Sequence, residues 1–126
     1  RAFSGCSALA SVSLPDSLTE IGTAAFTGCS ALTGIRIPAA ITEIINHTFS
    51  GCTSLATLEI PDSVTKIGDY AFFGCTSLTS IAIPNSVTAI GNGAFSNCTA
   101  LTLTVTPDSY AAEYAQANGI SYTYVD

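Results

Sequence analysis

Apolar residues recur along this chain at a fixed step of 23 positions. One unit, residues 49–68, reads F-S-G-C-T-S-L-A-T-L-E-I-P-D-S-V-T-K-I-G. Within it, Leu55, Leu58 and Ile60 follow an L-x-x-L-x-L spacing. The alternation at the end of this spacing predicts a short strand with one face inward and the other in solvent. Residues 64–67 begin with Val64 and end with Ile67, and these two apolar residues predict a second short extended segment.

Four residue types keep this step through the whole chain. A step of this size without insertions is typical of a solenoid, in which each coil buries its apolar side against its neighbours. Proline closes each strand because it has no N–H for the next ladder bond. We therefore expect five stacked coils in residues 1–105. The columns are Phe3, Phe26, Phe49, Phe72 and Phe95; Cys6, Cys29, Cys52, Cys75 and Cys98; Leu9, Leu32, Leu55, Leu78 and Leu101; and Pro15, Pro38, Pro61, Pro84 and Pro107.

The corner before each cysteine is predicted to be a single helical turn. Glycine precedes four of the five cysteines, and Asn97 precedes the last. Both residue types tolerate the left-handed backbone conformation, so we expect each turn to end in a left-handed cap. The corner phenylalanine is expected to fill the end of its coil.

Residues 106–126 predict a cap of one helix and one strand. Thr106 or Asp108 is the candidate N-cap of the helix, and the Asn-Gly pair at residues 118–119 ends it. The last coil would otherwise expose an apolar end, which is why terminal repeats are atypical. The whole chain, 1–126, is then a single domain. The final strand is predicted from the alternation of Ile120, Tyr122 and Tyr124.

Two units depart from the pattern. Ile45 stands where glycine stands in three other units, and we expect a local backbone adjustment at residues 45–47. In the last unit Leu103 and Val105 are apolar, whereas the repeat places Thr104 in the inward position. A slip of one residue reverses the faces of a strand. We therefore expect this strand to bulge or to change register.

Composition excludes several classes of protein. The 126 residues are 48% hydrophobic with a mean hydropathy of +0.48, which is enough to form a core. Three basic residues against nine acidic ones, with a net charge of -6, exclude a nucleic-acid partner, because such proteins need a basic face. No apolar run is long enough to predict a membrane span.

The cysteine column is the most prominent chemical feature. Stacked coils bring equivalent cysteines within disulfide distance, but their side chains point in parallel and their number is odd, so we expect buried free thiols. One histidine and no C-x-x-C spacing predict no metal site and no cofactor. His47 is expected to be a surface residue. The column Asp16, Asp62, Asn85 and Asp108 is explained by turn propensity, and a weak Ca²⁺ site there stays open.

The unit A-F-x-G-C-x-x-L-x-x-I-x-I-P-x-S-V-T-x-I-G resembles the leucine-rich repeat of the BspA-like bacterial surface proteins, over residues 1–106. The resemblance implies a leucine-rich repeat solenoid, a right-handed superhelix of short parallel strands. It also implies an extracellular position at the cell surface and a non-enzymatic role in adhesion. The partner would be a host extracellular-matrix protein or another cell-surface protein.

Function is expected on the outward strand positions, because a rigid stack fixes their geometry. Arg36 and Glu59 are the strongest candidates, since Arg is favoured in interface hot spots. The chain opens at Arg1, within a corner, so we expect it to be the C-terminal piece of a larger protein, acting as a monomer or in a longer array. The alternative is a structural spacer that displays another domain. The candidate binding residues are Ser11, Ser13, Arg36, Thr57, Glu59 and Ser80.

Overall fold

The apolar columns of the sequence lie above one another in stacked coils. The computed structural model describes residues 3–125, which form two parallel three-stranded sheets with the strand orders β1-β2-β4 and β3-β5-β6. The elements are β1 Glu43–Ile44, β2 Lys66–Ile67, β3 Ser80–Ala82, β4 Ala89–Ile90, β5 Thr102–Val105, α1 Tyr110–Ala117 and β6 Ser121–Tyr124.

The first sheet joins the second extended segments of three successive units. Ile44 pairs with Ile67, and Ile67 pairs with Ile90, so each isoleucine pairs with its equivalent in the next unit. All three are buried. The predicted period therefore sets the register directly, because pairing equivalent residues keeps the apolar column on the inner face.

The L-x-x-L-x-L segments are less regular than the sequence predicts. Only β3 forms a paired strand of more than one residue before β5. In the preceding coils the ladder consists of single parallel bridges, from Arg36 to Glu59 and from Thr57 to Ser80. Within the described part of the first coil, no strand forms.

The five corner phenylalanines stack face to face, with interplanar angles of at most 12°. Phe26, Phe49 and Phe72 are at most 1% exposed. This column therefore runs through the core from Phe26 to Phe95. The ring centroids are 5.3 Å apart for Phe3–Phe26, 5.6 Å for Phe26–Phe49, 5.5 Å for Phe49–Phe72 and 5.2 Å for Phe72–Phe95.

The corners are hydrogen-bonded turns, so the prediction of a helical turn is wrong. In the second coil the N–H groups of Ala25, Thr27 and Cys29 each donate to the carbonyl three positions earlier. A second left-handed residue lies two positions before each of the last four phenylalanines, and it interrupts the right-handed path that a helix requires. The predicted left-handed residue before cysteine is confirmed, for example at Asn97 with φ 63°. The second positions are Ala24 with φ 57°, His47 with φ 63°, Tyr70 with φ 56° and Gly93 with φ 63°.

The cysteine column consists of free thiols. Cys29, Cys52 and Cys75 are buried, as expected, whereas Cys6 and Cys98 at the two ends are partly exposed. From the second coil onwards, each thiol donates to the carbonyl of the phenylalanine in the preceding coil, at 3.0–3.2 Å. The thiols therefore hold neighbouring coils together. Burial raises the pKa of Cys52 to about 12.

An asparagine and aspartate ladder connects three corners. The Oδ1 atom of Asn46 accepts the N–H of Asp69 at 2.8 Å, and the Oδ1 atom of Asp69 accepts the N–H of Asn92 at 2.9 Å. A Cβ atom built on Gly68 would lie 2.7 Å from the backbone nitrogen of Asn46, and one on Gly91 would lie 2.6 Å from that of Asp69. Glycine is therefore needed at both positions.

The expected adjustment at Ile45 is limited to one backbone hydrogen bond. Gly68 and Gly91 donate to the carbonyls of Ile44 and Ile67 in the preceding coil, but no equivalent bond from Ile45 to Ile21 forms among residues 3–125. Beside Ile45, β1 pairs with β2 in the regular register. His47, two positions later, has the same left-handed conformation as its counterparts. The stack therefore accommodates a β-branched side chain at the position where Gly68 and Gly91 stand in the later coils.

The last repeat changes register, as expected. Ile81 pairs with Leu103, which lies 22 positions later, whereas a full repeat has 23 positions. Leu103 and Val105 are consequently fully buried, while Thr104 pairs with Ala82 on the outer face. Because the step into β5 is shorter, Leu103 continues the buried column that contains Ile81.

The C-terminal helix and strand lie against the last coil. Ser109 is the N-cap of α1 and accepts the N–H of Ala112 at 3.1 Å, so the predicted caps Thr106 and Asp108 are wrong. Asp108 has a φ of 62°, which turns the chain just before the helix start. The predicted Asn-Gly end and the predicted final strand, β6, are confirmed.

Two tyrosines of α1 reach the edge of β4. Ile90 donates its N–H to the Tyr110 hydroxyl at 3.3 Å, and the Tyr114 hydroxyl donates to the Gly91 carbonyl at 3.2 Å. Beyond the phenylalanine column, Tyr114 also meets Phe95 edge-on. These contacts satisfy backbone groups of the last coil that have no further coil to pair with.

Candidate functional site

The outer face of the L-x-x-L-x-L segments carries the predicted binding residues. All six are exposed, from Ser11 to Ser80. Their inward neighbours Leu58 and Ile60 are at most 6% exposed and hold the coil in place. Alternation along each segment therefore separates a core side from a side available for contact.

A groove of about 1080 Å³ runs along this face across four successive coils. Its lining includes Gly34, Thr57, Ser80 and Ala82, so small side chains form much of its surface. Pro61 lies at the side where the segment ends. Four of the predicted residues, Arg36, Thr57, Glu59 and Ser80, line the groove.

Ser11 and Ser13 are exposed but do not line this groove. They belong to the first coil, whose described part forms no strand. The structure therefore brings together the candidates from the second, third and fourth coils and leaves out those of the first.

Arg36 and Glu59 face each other across the single bridge between two coils. The guanidinium of Arg36, however, donates to Asp16 Oδ1 at 2.6 Å, while Glu59 has a weaker electrostatic contact with it. The hydrogen bond to Asp16 raises the pKa of Arg36, with smaller contributions from the charges of Asp16 and Glu59. Both ends of the Arg36–Asp16 pair are largely exposed, so the pair contributes little to stability.

Sequence reasoning did not assign three residues of this region. Asp16 was considered only as a turn residue or cation ligand, and Asp62 belonged to the same column. Val125 lines the groove from beyond β6 and is 45% exposed. The signal for the first two was present, because each lies three positions after an outward strand residue. The partner of Arg36, however, depends on the fold.

The structure gives the positions of the potential metal ligands and of His47. In residues 3–125, no three His, Cys, Asp or Glu side chains lie close enough together to hold a metal ion. His47 is exposed and stacks on Tyr70 with a centroid distance of 5.3 Å. No helix in the part that the structure describes has the length and apolar character for crossing a membrane.

Comparison with known proteins identifies the repeat. The model of the BspA type leucine rich repeat region matches residues 1–116 with six copies. The chain belongs to the BspA-type leucine-rich repeat family. The stacked coils are thus a leucine-rich repeat fold, and the groove lies on its strand face. No curated protein matches the chain.

Solved structures of leucine-rich repeat proteins resemble the chain closely. A leucine rich cell surface protein from Faecalibacterium prausnitzii is 48% identical over 95% of this chain, with a TM-score of 0.81. A leucine-rich repeat protein from Bacteroides ovatus is 40% identical over 85% of it, with a TM-score of 0.80. The T. pallidum leucine rich repeat protein is 44% identical over 82%, with a TM-score of 0.79.

The chain spans only part of the length of these relatives. It covers 31% of the F. prausnitzii protein, 28% of the B. ovatus protein and 49% of the T. pallidum protein. The family indicates a protein-interaction or structural role in bacterial surface proteins.

Proposed function

We propose that this chain is a non-enzymatic binding module of an extracellular, cell-surface protein, and that it contacts a protein ligand through the groove on its strand face. The observation that supports this most directly is the groove itself, which places Arg36, Thr57, Glu59 and Ser80 on one rigid surface. Ser11 and Ser13 extend the same face into the first coil. The name of the F. prausnitzii relative supports the surface position.

The stack behind the groove explains how such a surface would work. Buried isoleucine, leucine and phenylalanine columns fix the coils, so the outward side chains need little ordering when a ligand binds. The groove has no aromatic lining and only one arginine among the residues that line it. We therefore expect weak contacts that gain strength when several coils or several copies act together.

We also propose that the groove belongs to a single repeat domain with its own C-terminal cap. Residues 1–126 form one domain, with coils over about 1–105 that wind as a right-handed superhelix. Residues 106–126 act as its cap. The contacts of Tyr110 and Tyr114 with the last coil support this capping role. The domain acts as a monomer or within a longer array.

A steric block tests the binding role. Thr57→Tyr places a large side chain on the groove floor at an exposed strand position, where tyrosine is well tolerated. Thr88→Tyr is the matched control, because Thr88 is also exposed on an extended segment but does not line the groove. Surface plasmon resonance against a panel of purified extracellular-matrix proteins should show lower capture for Thr57→Tyr alone.

Equal capture by both variants, or no capture by the parent chain across the panel, contradicts the binding role. The same result would favour the alternative, a structural spacer. The continuous phenylalanine column is the feature that suits a spacer, because it makes the stack rigid without any ligand.

A further inference from the structure

The charges of the groove are unevenly distributed. Glu59 and Asp62 are exposed carboxylates that line it, and Arg36 is the one cationic side chain in its lining. The guanidinium of Arg36 is held by Asp16 at 2.6 Å, at the side facing the first coil. Within residues 3–125, neither Glu59 nor Asp62 has a basic group within 4.0 Å. The groove lining thus carries two carboxylates and one cation, and the cation is already paired with a carboxylate outside the lining.

The dimensions of the groove favour an extended segment. Strands in neighbouring coils lie about 4.8 Å apart, so four coils span about 14 Å. An extended chain advances about 3.3 Å per residue, and about five residues would cross this distance. The small side chains of Gly34 and Ala82 let a backbone come close to the surface, and the hydroxyls of Thr57 and Ser80 can bond to it.

We propose that the groove takes a short extended segment of a partner protein that carries basic side chains, which pair with Glu59 and Asp62; this rests on the proposed binding function of the groove. Charge complementarity selects this partner, because an acidic segment would meet two carboxylates without a free cation to balance them.

The test is a titration of the whole chain, labelled with ¹⁵N, with a synthetic peptide. The peptide is Gly-Ser-Lys-Ser-Lys-Gly, blocked at both termini, and two matched peptides carry glutamine or glutamate in place of lysine. The lysine peptide should shift the amide signals of residues 57, 59 and 80. Its affinity should fall several-fold between 50 and 200 mM salt, since ionic pairing at an exposed surface is screened.

Two double variants with the same net charge separate a local effect from a general one. Glu59→Gln with Asp62→Asn should lower the affinity for the lysine peptide at least five-fold. Glu20→Gln with Glu113→Gln is the control, because both residues are exposed and lie outside the groove lining. Equal loss in both double variants overturns the proposal, as does equal binding of the glutamine peptide.

The two experiments together distinguish failure of the basic-partner proposal from failure of the proposed binding function. If a matrix protein is captured in a Thr57→Tyr-sensitive manner but the lysine peptide shifts no groove signal, the groove binds and the basic partner is wrong. If neither the panel nor the peptide binds, both proposals fail. Tighter binding of the glutamate peptide would overturn the basic partner alone.

Discussion

The ring of Tyr114 lies edge-on to the ring of Phe95, with a centroid distance of 6.5 Å and an interplanar angle of 67°. It ends a column in which every earlier contact is a parallel stack. At the same place the Tyr114 hydroxyl donates to the Gly91 carbonyl at 3.2 Å. One side chain thus covers the last apolar ring and satisfies a backbone group of the last coil.

Loss of the tyrosine hydroxyls should loosen this end of the stack. Tyr114→Phe removes one hydrogen bond to the backbone and should lower the free energy of unfolding by about 1 kcal/mol. Tyr110→Phe should speed hydrogen exchange of the Ile90 amide, which donates to that hydroxyl. Tyr70→Phe is the control, because its ring stacks in a corner far from α1 in sequence. Unchanged exchange in Tyr110→Phe would contradict the contact.

Truncation in the phenylalanine column should depend on position. Phe49→Ala removes a fully buried ring with stacked neighbours on both sides and should lower the free energy of unfolding by about 3–5 kcal/mol. Phe3→Ala should have a much smaller effect, because Phe3 is 36% exposed and stacks on one side only. Urea denaturation of both variants gives the comparison, and similar losses would show that the column is not the core centre.

The glycines after the corner isoleucines should differ in their tolerance of a methyl group. Gly68→Ala should destabilise the fold by about 1–3 kcal/mol, since the added Cβ atom would lie 2.7 Å from the Asn46 nitrogen. Gly22→Ala should change stability by less than about 0.5 kcal/mol, because nothing lies within 4 Å of its Cβ position. Thermal unfolding distinguishes them, and equal shifts would show that spacing is not the reason for glycine.

Two of the five thiols should react in the folded protein. Cys6 and Cys98 are partly exposed, whereas Cys29, Cys52 and Cys75 are not. Titration with Ellman's reagent at pH 8 should give two fast thiols, and Cys98→Ser should leave one. Five fast thiols would mean that the coils open readily.

Stability should fall at alkaline pH. Burial raises the pKa of Cys52 to about 12, while the thiol in the unfolded chain ionises near pH 9. Between these values the unfolded state loses a proton that the folded state keeps, so the free energy of unfolding falls by about 1.4 kcal/mol per pH unit for such a thiol. Burial raises the pKa of Cys29 in the same direction.

Urea midpoints measured between pH 8 and pH 11 give the slope. Cys52→Ala should reduce it, whereas Cys6→Ala, which removes a partly exposed thiol, serves as the comparison. An unchanged slope in Cys52→Ala would contradict the contribution of that thiol.

The sequence predicted those parts of the fold that depend on repetition. Stacking, the buried columns and the left-handed residue before cysteine follow from equal spacing, and even the register change at Leu103 was visible as a slip in the pattern. The second left-handed position was not predicted, because alanine and tyrosine, the residue types at Ala24 and Tyr70, seldom adopt a positive φ. The N–H groups of Ala24 and Tyr70 donate to the carbonyls of Asn46 and Asn92 in the next coil, so the conformation depends on contacts between coils.

The candidate site was predicted less completely, because its partners come from different coils. Alternation identified Arg36 and Glu59 as exposed neighbours. It could not show that Arg36 turns toward Asp16 in the preceding coil, at 2.6 Å. That choice depends on where the turn after Pro15 places its side chain. The groove and its acidic character therefore emerged only from the structure.

The separation of buried columns from outward positions has an evolutionary consequence. Thr57 and Ser80 are bridged through the backbone, so that bridge does not depend on which side chains they carry. Mutations can therefore change the outward residues of each coil one at a time without loss of the backbone pairing between coils. The outer surface can therefore vary while the buried columns that hold the coils in register stay the same.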